Sequence, residues 1–323
     1  MYPWHQQIQT IIDEIDRCIK QQNDEAVTLY FLSCKLGYSE FYLSRKFREI
    51  SGMSFRDYLR YRKLALALKE LRDTDYSILD IALNYGFSSH EAFTRAFKEA
   101  YGTTPSEYRR HPVPVVLRTV IKPFDCYLIE KGGLSMDQTN EEIKTYFVTI
   151  PAHKFLHIRN YESVGYWDFW QKQSRIPGQN CETICGLLDS IPNKLDDIGD
   201  QDLSSGSGQI MAFLNDSAGR ICSWGIPLAE CYGVRLPPDY SGDVPQPLLL
   251  MDVPEGDYIV FEHGPFDFES QCRCVEEQIE KAMKDFDYEA NGYRLDLTPG
   301  RLFYYYHDPK RFWKYIRPVQ KIK

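Results

Sequence analysis

The sequence predicts a multidomain protein: an all-α domain made twice over from one helical motif, then an α+β domain of two strand-helix-strand-strand repeats. Three observations predict it. Residues 5–110 carry apolar residues at three- and four-residue spacing and match themselves at an offset of 50. Residues 150–158 and 253–261 are proline-started alternating segments that match at an offset of 103. The charge also changes along the chain: the first 112 residues hold 16 Lys and Arg against 15 Asp and Glu, and the remainder 22 against 31. At about 100–200 residues per domain, 323 residues suit two or three domains. With 43% hydrophobic and 26% charged residues the composition is that of a packed protein, which excludes disorder as the main state.

The first helix covers residues 5–21, with Ile8, Ile11, Ile12, Ile15 and Ile19 on one face. Residues 28–36 form a second helix, ended by Gly37-Tyr38-Ser39, in which Gly takes the left-handed conformation and Ser39 caps the next helix. That third helix runs from Glu40 to Ser51 and closes at Gly52. A long helix of about 17 residues, Phe55 to Leu71, spans roughly 25 Å. Then the pattern returns: helix 77–85, break Gly86-Phe87-Ser88, helix 89–101, Gly102. Leu43 matches Phe93, Ser44 Thr94, Arg45 Arg95, Phe47 Phe97, Gly52 Gly102, and Tyr58 Tyr108. Ser33 and Ala82, four residues before the turn glycines, allow close helix approach.

A short helix, a Gly turn and a second helix with a polar outer face describe a helix-turn-helix, here in two copies. The long helix between them holds the reading helices about one DNA turn apart, roughly 34 Å, so a monomer can enter successive major grooves. Leu43, Phe47 and Ile50 point inward on the first reading helix, and Phe93, Phe97 and Tyr101 on the second. That leaves Glu40, Phe41, Ser44, Arg45 and Arg48 outward on the first, and His90, Glu91, Thr94, Arg95 and Lys98 on the second. Arg suits guanine O6/N7, Ser and Thr suit bases or phosphates, Phe41 a thymine methyl, and Glu91 cytosine N4. Lys46, Arg48, Arg60, Arg62, Lys63 and Lys98 are candidate phosphate contacts, which position without specifying. Residues 35–72 hold 10 basic and 4 acidic residues, a local patch that suits a phosphate backbone although the chain's net charge is −8.

The residues 77–89 (Ser-Ile-Leu-Asp-Ile-Ala-Leu-Asn-Tyr-Gly-Phe-Ser-Ser), Ala-Phe-Thr-Arg-Ala-Phe-Lys at 92–98 and Gly-Thr-Thr-Pro-Ser-Glu-Tyr-Arg-Arg at 102–110 resemble the AraC/XylS family signature. The resemblance covers about 100 residues. It implies a seven-helix double helix-turn-helix DNA-binding domain and a transcription regulator, with base contacts at the matched positions Phe41, Ser44, Arg45, His90, Glu91, Thr94 and Arg95, and with double-stranded DNA and RNA polymerase as partners.

Pro112-Val113-Pro114 ends this domain, because the residue before a proline is pushed out of the helix. The expected organisation is residues 1–112 for DNA binding, 113–144 as a linker with an extended start, and 145–323 as an effector domain. Within the last, helices are expected at 163–174 and 268–286, and strands at 181–188, 208–215, 220–232, 301–307 and 312–319. Residues 189–209 and 236–247 read as loops. This order resembles the gyrase-inhibitor-like domain of Rob-like regulators, which implies an aromatic groove for a small-molecule effector, often around a buried Glu before the closing strand. By register that position is Lys314, which points to an anionic or neutral ligand. The candidate pocket residues are Tyr166, Trp167, Trp170, Trp224, Glu230, Tyr304, Tyr306 and Lys314, with surface positions the default for Glu230 and Glu262.

Other classes find little support. The nine cysteines are odd in number, and neither Cys181/Cys185 nor Cys272/Cys274 has a zinc or redox spacing, so reduced thiols are expected. No His-Glu-x-x-His and no nucleophile–base spacing occurs, so neither cofactor, metal nor enzyme activity is expected. Ser-Gly-Ser-Gly at 205–208 lacks the Lys of a phosphate loop. No membrane span or secretory leader is evident, so a cytoplasmic location is expected. The alternatives are an effector domain that grips a protein partner, or a gyrase-inhibitor-like hydrolase domain fused to a DNA-binding module.

Overall fold

The computed structural model describes residues 4–21, 27–118, 120, 142–195, 208–222, 224–308 and 311–322. They form two compact units. One is drawn from the first 131 residues together with Glu182–Ser190, the other from Gly132–Cys181 together with Ile191–Lys323. Much of the expected linker, 113–144, and most of the acidic loop, 189–209, lie outside the described residues. Among the described residues no helix is long and apolar enough to cross a membrane.

The first unit contains α1 (Trp4–Lys20), α2 (Leu29–Leu36), α3 (Glu40–Ser51), α4 (Phe55–Asp73), α5 (Ile78–Asn84), α6 (His90–Tyr101) and α7 (Pro105–Arg110). Side chains start most of these helices: Ser39, Ser54, Ser77, Ser89 and Thr104 each accept a hydrogen bond from a backbone N–H of the first turn. The two helix-turn-helix turns close alike. Gly37 (φ 73°) donates to the Cys34 carbonyl and Tyr38 to that of Ser33; Gly86 (φ 72°) donates to Leu83 and Phe87 to Ala82. A side chain at either glycine would strain this left-handed turn. The core falls into two halves joined by α4. Phe55 and Tyr58 pack with Ile8, Ile11, Ile12, Leu43 and Phe47, whereas Leu64, Leu68 and Leu71 pack with Ile81, Phe93, Phe97 and Tyr108.

Residues 181–188, expected as a strand, are helical: α8 is Gly165–Gln173 and α9 is Cys181–Ser190. The buried residues Ile184, Leu187 and Leu188 follow helical spacing, not alternation. α9 also belongs to the first unit rather than to the sheet on either side of it in sequence. There Leu117 donates to the Gly186 carbonyl (3.3 Å), Val115 N–H to Ser190 Oγ (3.2 Å), and Arg72 Nη1 to the Ser190 carbonyl (2.7 Å), while Lys69 pairs with Asp189 at 2.7 Å. A Cβ on Gly186 would lie 2.4 Å from the Leu117 carbonyl oxygen. Gly186→Val should therefore lower stability by roughly 1–3 kcal/mol, read as the denaturation midpoint of the full chain.

The second unit has one antiparallel sheet of β1 (Lys144–Ile150), β2 (His153–Asn160), β3 (Gln209–Ile221), β4 (Pro227–Leu236), β5 (Leu249–Val253), β6 (Gly256–His263), β7 (Tyr293–Leu295), β8 (Leu302–Asp308) and β9 (Phe312–Lys321), with α10 (Phe268–Asp285). The order is β1-β6-β9-β8-β3-β4-β2-β5, with β7 on β9. Pro151 and Pro254 each separate two strands instead of starting one, as a residue without an N–H suits a turn better than a ladder. The expected strand 220–232 divides into the end of β3 and most of β4.

Alternation assigns the two faces. Ala229, Cys231, Tyr258, Val260, Tyr304, Tyr306 and Ile316 form one core. Phe261, Trp313, Tyr315 and Val319 form another with Val275, Ile279 and Met283 of α10. The first core holds neutral histidines. Burial pushes His153 and His157 down to about 4, from 6.5. In the unfolded chain they take up protons nearer 6.5, so their contribution is full above that value and is lost as the pH falls toward 4. Unfolding titrations between those limits should show a loss on the order of a few kcal/mol that His153→Gln and His157→Gln reduce.

Candidate nucleic-acid interface and effector face

The offset of 50 seen in the sequence reappears in space. From residue 41 to 50, and again from 91 to 100, buried, half-buried and exposed positions follow one another in the same order. Leu43 and Phe47, like Phe93 and Phe97, are fully buried. Phe41 (80% exposed), Arg45, Glu91 and Arg95 stand outward, with Ser44, Thr94 and His90 half-exposed. Arg45 lies over the Tyr42 ring at 5.5 Å, and Tyr42 in turn meets Trp4 of α1 at 5.2 Å. This support reaches across 38 residues of sequence, so no local pattern announces it. Thr94 Oγ1 is buried and makes no hydrogen bond, so what this residue shows to solvent is the rest of its side chain. Glu91 is held below the usual carboxylate range by a backbone N–H and the Ser89 hydroxyl, so its charge is tied to the start of α6.

The candidate phosphate contacts divide. Arg48 and Lys98 are exposed, and Lys63 is half-buried. Lys46 pairs with Glu49 at 3.0 Å, and Arg60 with Glu99 at 2.9 Å. Arg62 is not a phosphate contact: it is 4% exposed, its Nε donates to Asp16 Oδ1 at 3.0 Å, its Nη2 also donates to that oxygen, and its Nη1 donates to the Arg118 carbonyl at 2.5 Å. Periodicity placed it near the basic face, but a carboxylate on α1 turns it inward.

Residues 32–111 match the family model described as a helix-turn-helix domain. The regulatory protein SoxS of Salmonella typhimurium is 42% identical over 106 residues, which are 32% of this chain and 95% of SoxS. The chain belongs to the AraC family of DNA-binding transcription regulators. The right origin-binding protein of Escherichia coli K12 is 43% identical over 89 residues, 28% of this chain and 31% of that one. A Chromobacterium violaceum transcriptional regulator of AraC type is 26% identical with a TM-score of 0.29, covering 32% of this chain and 96% of its own. These AraC-family likenesses therefore concern about a third of the chain.

In the second unit the expected pocket residues separate onto two faces. Tyr304 pairs across the sheet with Ile316, Tyr306 with Lys314, and Lys314 with Glu262, all on the face with Ala229 and Cys231. Lys314 contacts Glu262 at 3.2 Å and lies 3.7 Å over the Phe312 ring. Tyr304, Tyr306 and Lys314 are thus not part of a groove with Trp224. The inference of an anionic or neutral ligand from Lys314 falls with that placement, since Glu262 answers its charge.

The other face collects the rest. Glu230 is directly opposite Phe213, which is opposite Phe303; Trp224 packs on both rings. Glu230 is buried, not on the surface. Its Oε1 accepts from Gly165 N–H at 2.6 Å, and its Oε2 is buried with no partner. Around it, Trp170 meets Tyr232 at 4.8 Å, and Tyr166 meets Trp170 at 6.3 Å. Trp167 edges against Tyr166 at 4.7 Å but is largely exposed. Tyr305 and Tyr315, overlooked in the sequence, are packed on this face at 5.0 Å, and burial drives both hydroxyls far up. On α10, desolvation and then Glu280 and Glu277 raise the Glu276 carboxyl. Among the described residues no group of three His, Cys, Asp or Glu is arranged to hold a metal ion.

Proposed function

We propose that this AraC-type regulator reads two successive major grooves with α3 and α6 and responds to a small molecule held on the helix-covered face of its sheet. The matched exposure of α3 and α6 carries the DNA half. In this reading Arg45 and Arg95 meet guanine edges, Phe41 a thymine methyl, and Ser44, His90, Glu91 and Thr94 complete the base contacts. Arg48, Lys98 and Lys63 hold phosphates, and Lys46 and Arg60 join them by exchanging Glu49 and Glu99 for DNA. RNA polymerase is the protein partner of such a regulator.

The strand order supports a two-repeat effector domain. Matching β1 with β5, β2 with β6, β3 with β8 and β4 with β9 leaves the order unchanged when read from either end. This symmetry suits the gyrase-inhibitor-like reading. The unpaired Glu230 oxygen beside Tyr166, Trp170 and Tyr232 suits an aromatic organic cation, because a carboxylate and ring faces both attract positive charge, whereas the Trp224 ring already faces Arg317 at 4.9 Å.

Footprinting the full chain on the DNA upstream of its own gene, over a range of salt, tests the first half. A protected region spanning two adjacent turns is expected; protection without sequence preference would defeat it. Titration with benzyltrimethylammonium, followed by tryptophan fluorescence, tests the second. Binding that Glu230→Gln weakens about tenfold is expected, and equal binding by the variant would defeat it.

A further inference from the structure

On the opposite face from Glu230, the β1–β2 turn and the end of β4 enclose a cleft of about 440 Å³. Its lining is mostly apolar: Ile150, Ala152, Leu195, Pro237 and Pro238 are among the residues that contribute. Arg235 is the one charged residue of that lining. It is only 6% exposed, and among the described residues no carboxylate and no hydrogen-bond acceptor meets its guanidinium.

Its surroundings hold further donors and the carboxylate of Asp296, which Arg301 engages. Tyr258 has its hydroxyl buried and without a partner, and so has Arg301 at Nη1. A Cβ on Gly256 would meet Arg301 Nη1 at 3.1 Å and Tyr258 Cε2 at 3.5 Å, so guanidinium and phenol lie side by side over Gly256. Gly256 is the ladder partner of Ile150, in the cleft wall. Arg301 is half-answered, by Asp296 at 2.6 Å from its Nε. His153 does not answer Arg235 either. Its Nδ1–H donates to the Pro151 carbonyl at 2.8 Å and its Nε2 accepts from Tyr304 at 2.6 Å, so it is neutral and its acceptor is occupied. Burial pushes the Tyr258 hydroxyl up to about 12, with Arg301 and Arg235 working against the rise; it keeps its proton and remains a donor.

A buried guanidinium without a counter-ion costs stability, and so does each buried donor without an acceptor. Tyr258 and Arg301 are not in the lining; the arginine that is, Arg235, stands in the wall of an open cleft with no acceptor on it among the described residues, and an acceptor that arrives from outside explains it. We propose that the cleft binds a small organic anion, its carboxylate on Arg235 and its apolar body against Ile150, Pro237 and Pro238. A guanidinium takes a carboxylate through two parallel hydrogen bonds, and prolines offer a rigid apolar wall. This site is separate from the helix-covered face, and its test does not depend on DNA.

The probe is benzoate, with benzyl alcohol as its neutral counterpart, titrated calorimetrically into the full chain at constant ionic strength. Benzoate should bind and raise the melting temperature, and benzyl alcohol should do neither. Arg235→Met should abolish binding and, by removing an unpaired buried charge, leave the empty protein melting at the same temperature or higher. A merely structural arginine would instead lower the melting temperature when replaced and leave benzoate binding indifferent. No benzoate binding, equal binding of the alcohol, or unchanged affinity in Arg235→Met would overturn the assignment.

Discussion

Arg45→Ala and Arg95→Ala are each expected to weaken binding to a specific site by about 1–3 kcal/mol, roughly tenfold to a hundredfold, while thermal stability stays unchanged. Both side chains stand on the exposed face of a helix whose inner positions are fully buried. Removing either takes nothing from the core. The loss should differ between DNA sequences, because a base contact is made only where the base matches. Arg48→Ala or Lys98→Ala should instead weaken all sequences alike and flatten the dependence on salt by about one unit of slope. Mobility shifts on the preferred and scrambled sites separate the two outcomes. A uniform loss on Arg45→Ala would remove it from the base-reading set.

Arg62→Ala should act in the reverse way, unfolding the first unit rather than blunting its specificity. The substitution leaves Asp16 to Lys20 alone, which meets only its Oδ2, and frees the Arg118 carbonyl. Breaking a buried pair of this kind costs about 3–5 kcal/mol. Burial pushes the Asp16 carboxyl up, but the Arg62 charge and hydrogen bonds, with Lys20, hold it below the usual range. A carboxyl held low in the fold stabilises above its unfolded range and loses that contribution as the pH falls through its folded value. Acid unfolding of the wild type should thus have a component that Asp16→Asn, combined with Arg62→Met, removes. Chemical denaturation across that range measures it. Unchanged stability in Arg62→Ala would return this arginine to the DNA surface.

The helices of the first unit were legible because their causes are local. Ile8 to Ile19 repeat every three or four residues, Ser39 and Ser89 start helices beside them, and Gly37 and Gly86 end them. The duplication sharpened each face, since a residue inward in one copy predicts its match in the other. Arg62 was illegible for the opposite reason: its partner is 46 residues away, and helical spacing alone gives no depth. In the second unit, Tyr304-Tyr305-Tyr306 shows the limit of alternation. The pattern says that the middle ring opposes its neighbours but not which side faces α10; the pairing of Tyr305 with Tyr315 decides that. Lys314 was misplaced by the same one-residue ambiguity. Arg235 carries no sequence signal, because what distinguishes it is that among the described residues no partner meets it in three dimensions.

The excursion of α9 bears on how the protein can be cut. An expression fragment stopped at residue 112 omits Leu117 and all of Ile184, Leu187 and Leu188, and strips Lys69 and Arg72 of Asp189 and the Ser190 carbonyl. Conversely, a fragment begun at residue 145 carries an apolar helix whose shelf has been left behind. The backbone leaves the second unit after Cys181 and re-enters it at Ile191, so neither unit is one continuous stretch of sequence and neither can be excised cleanly.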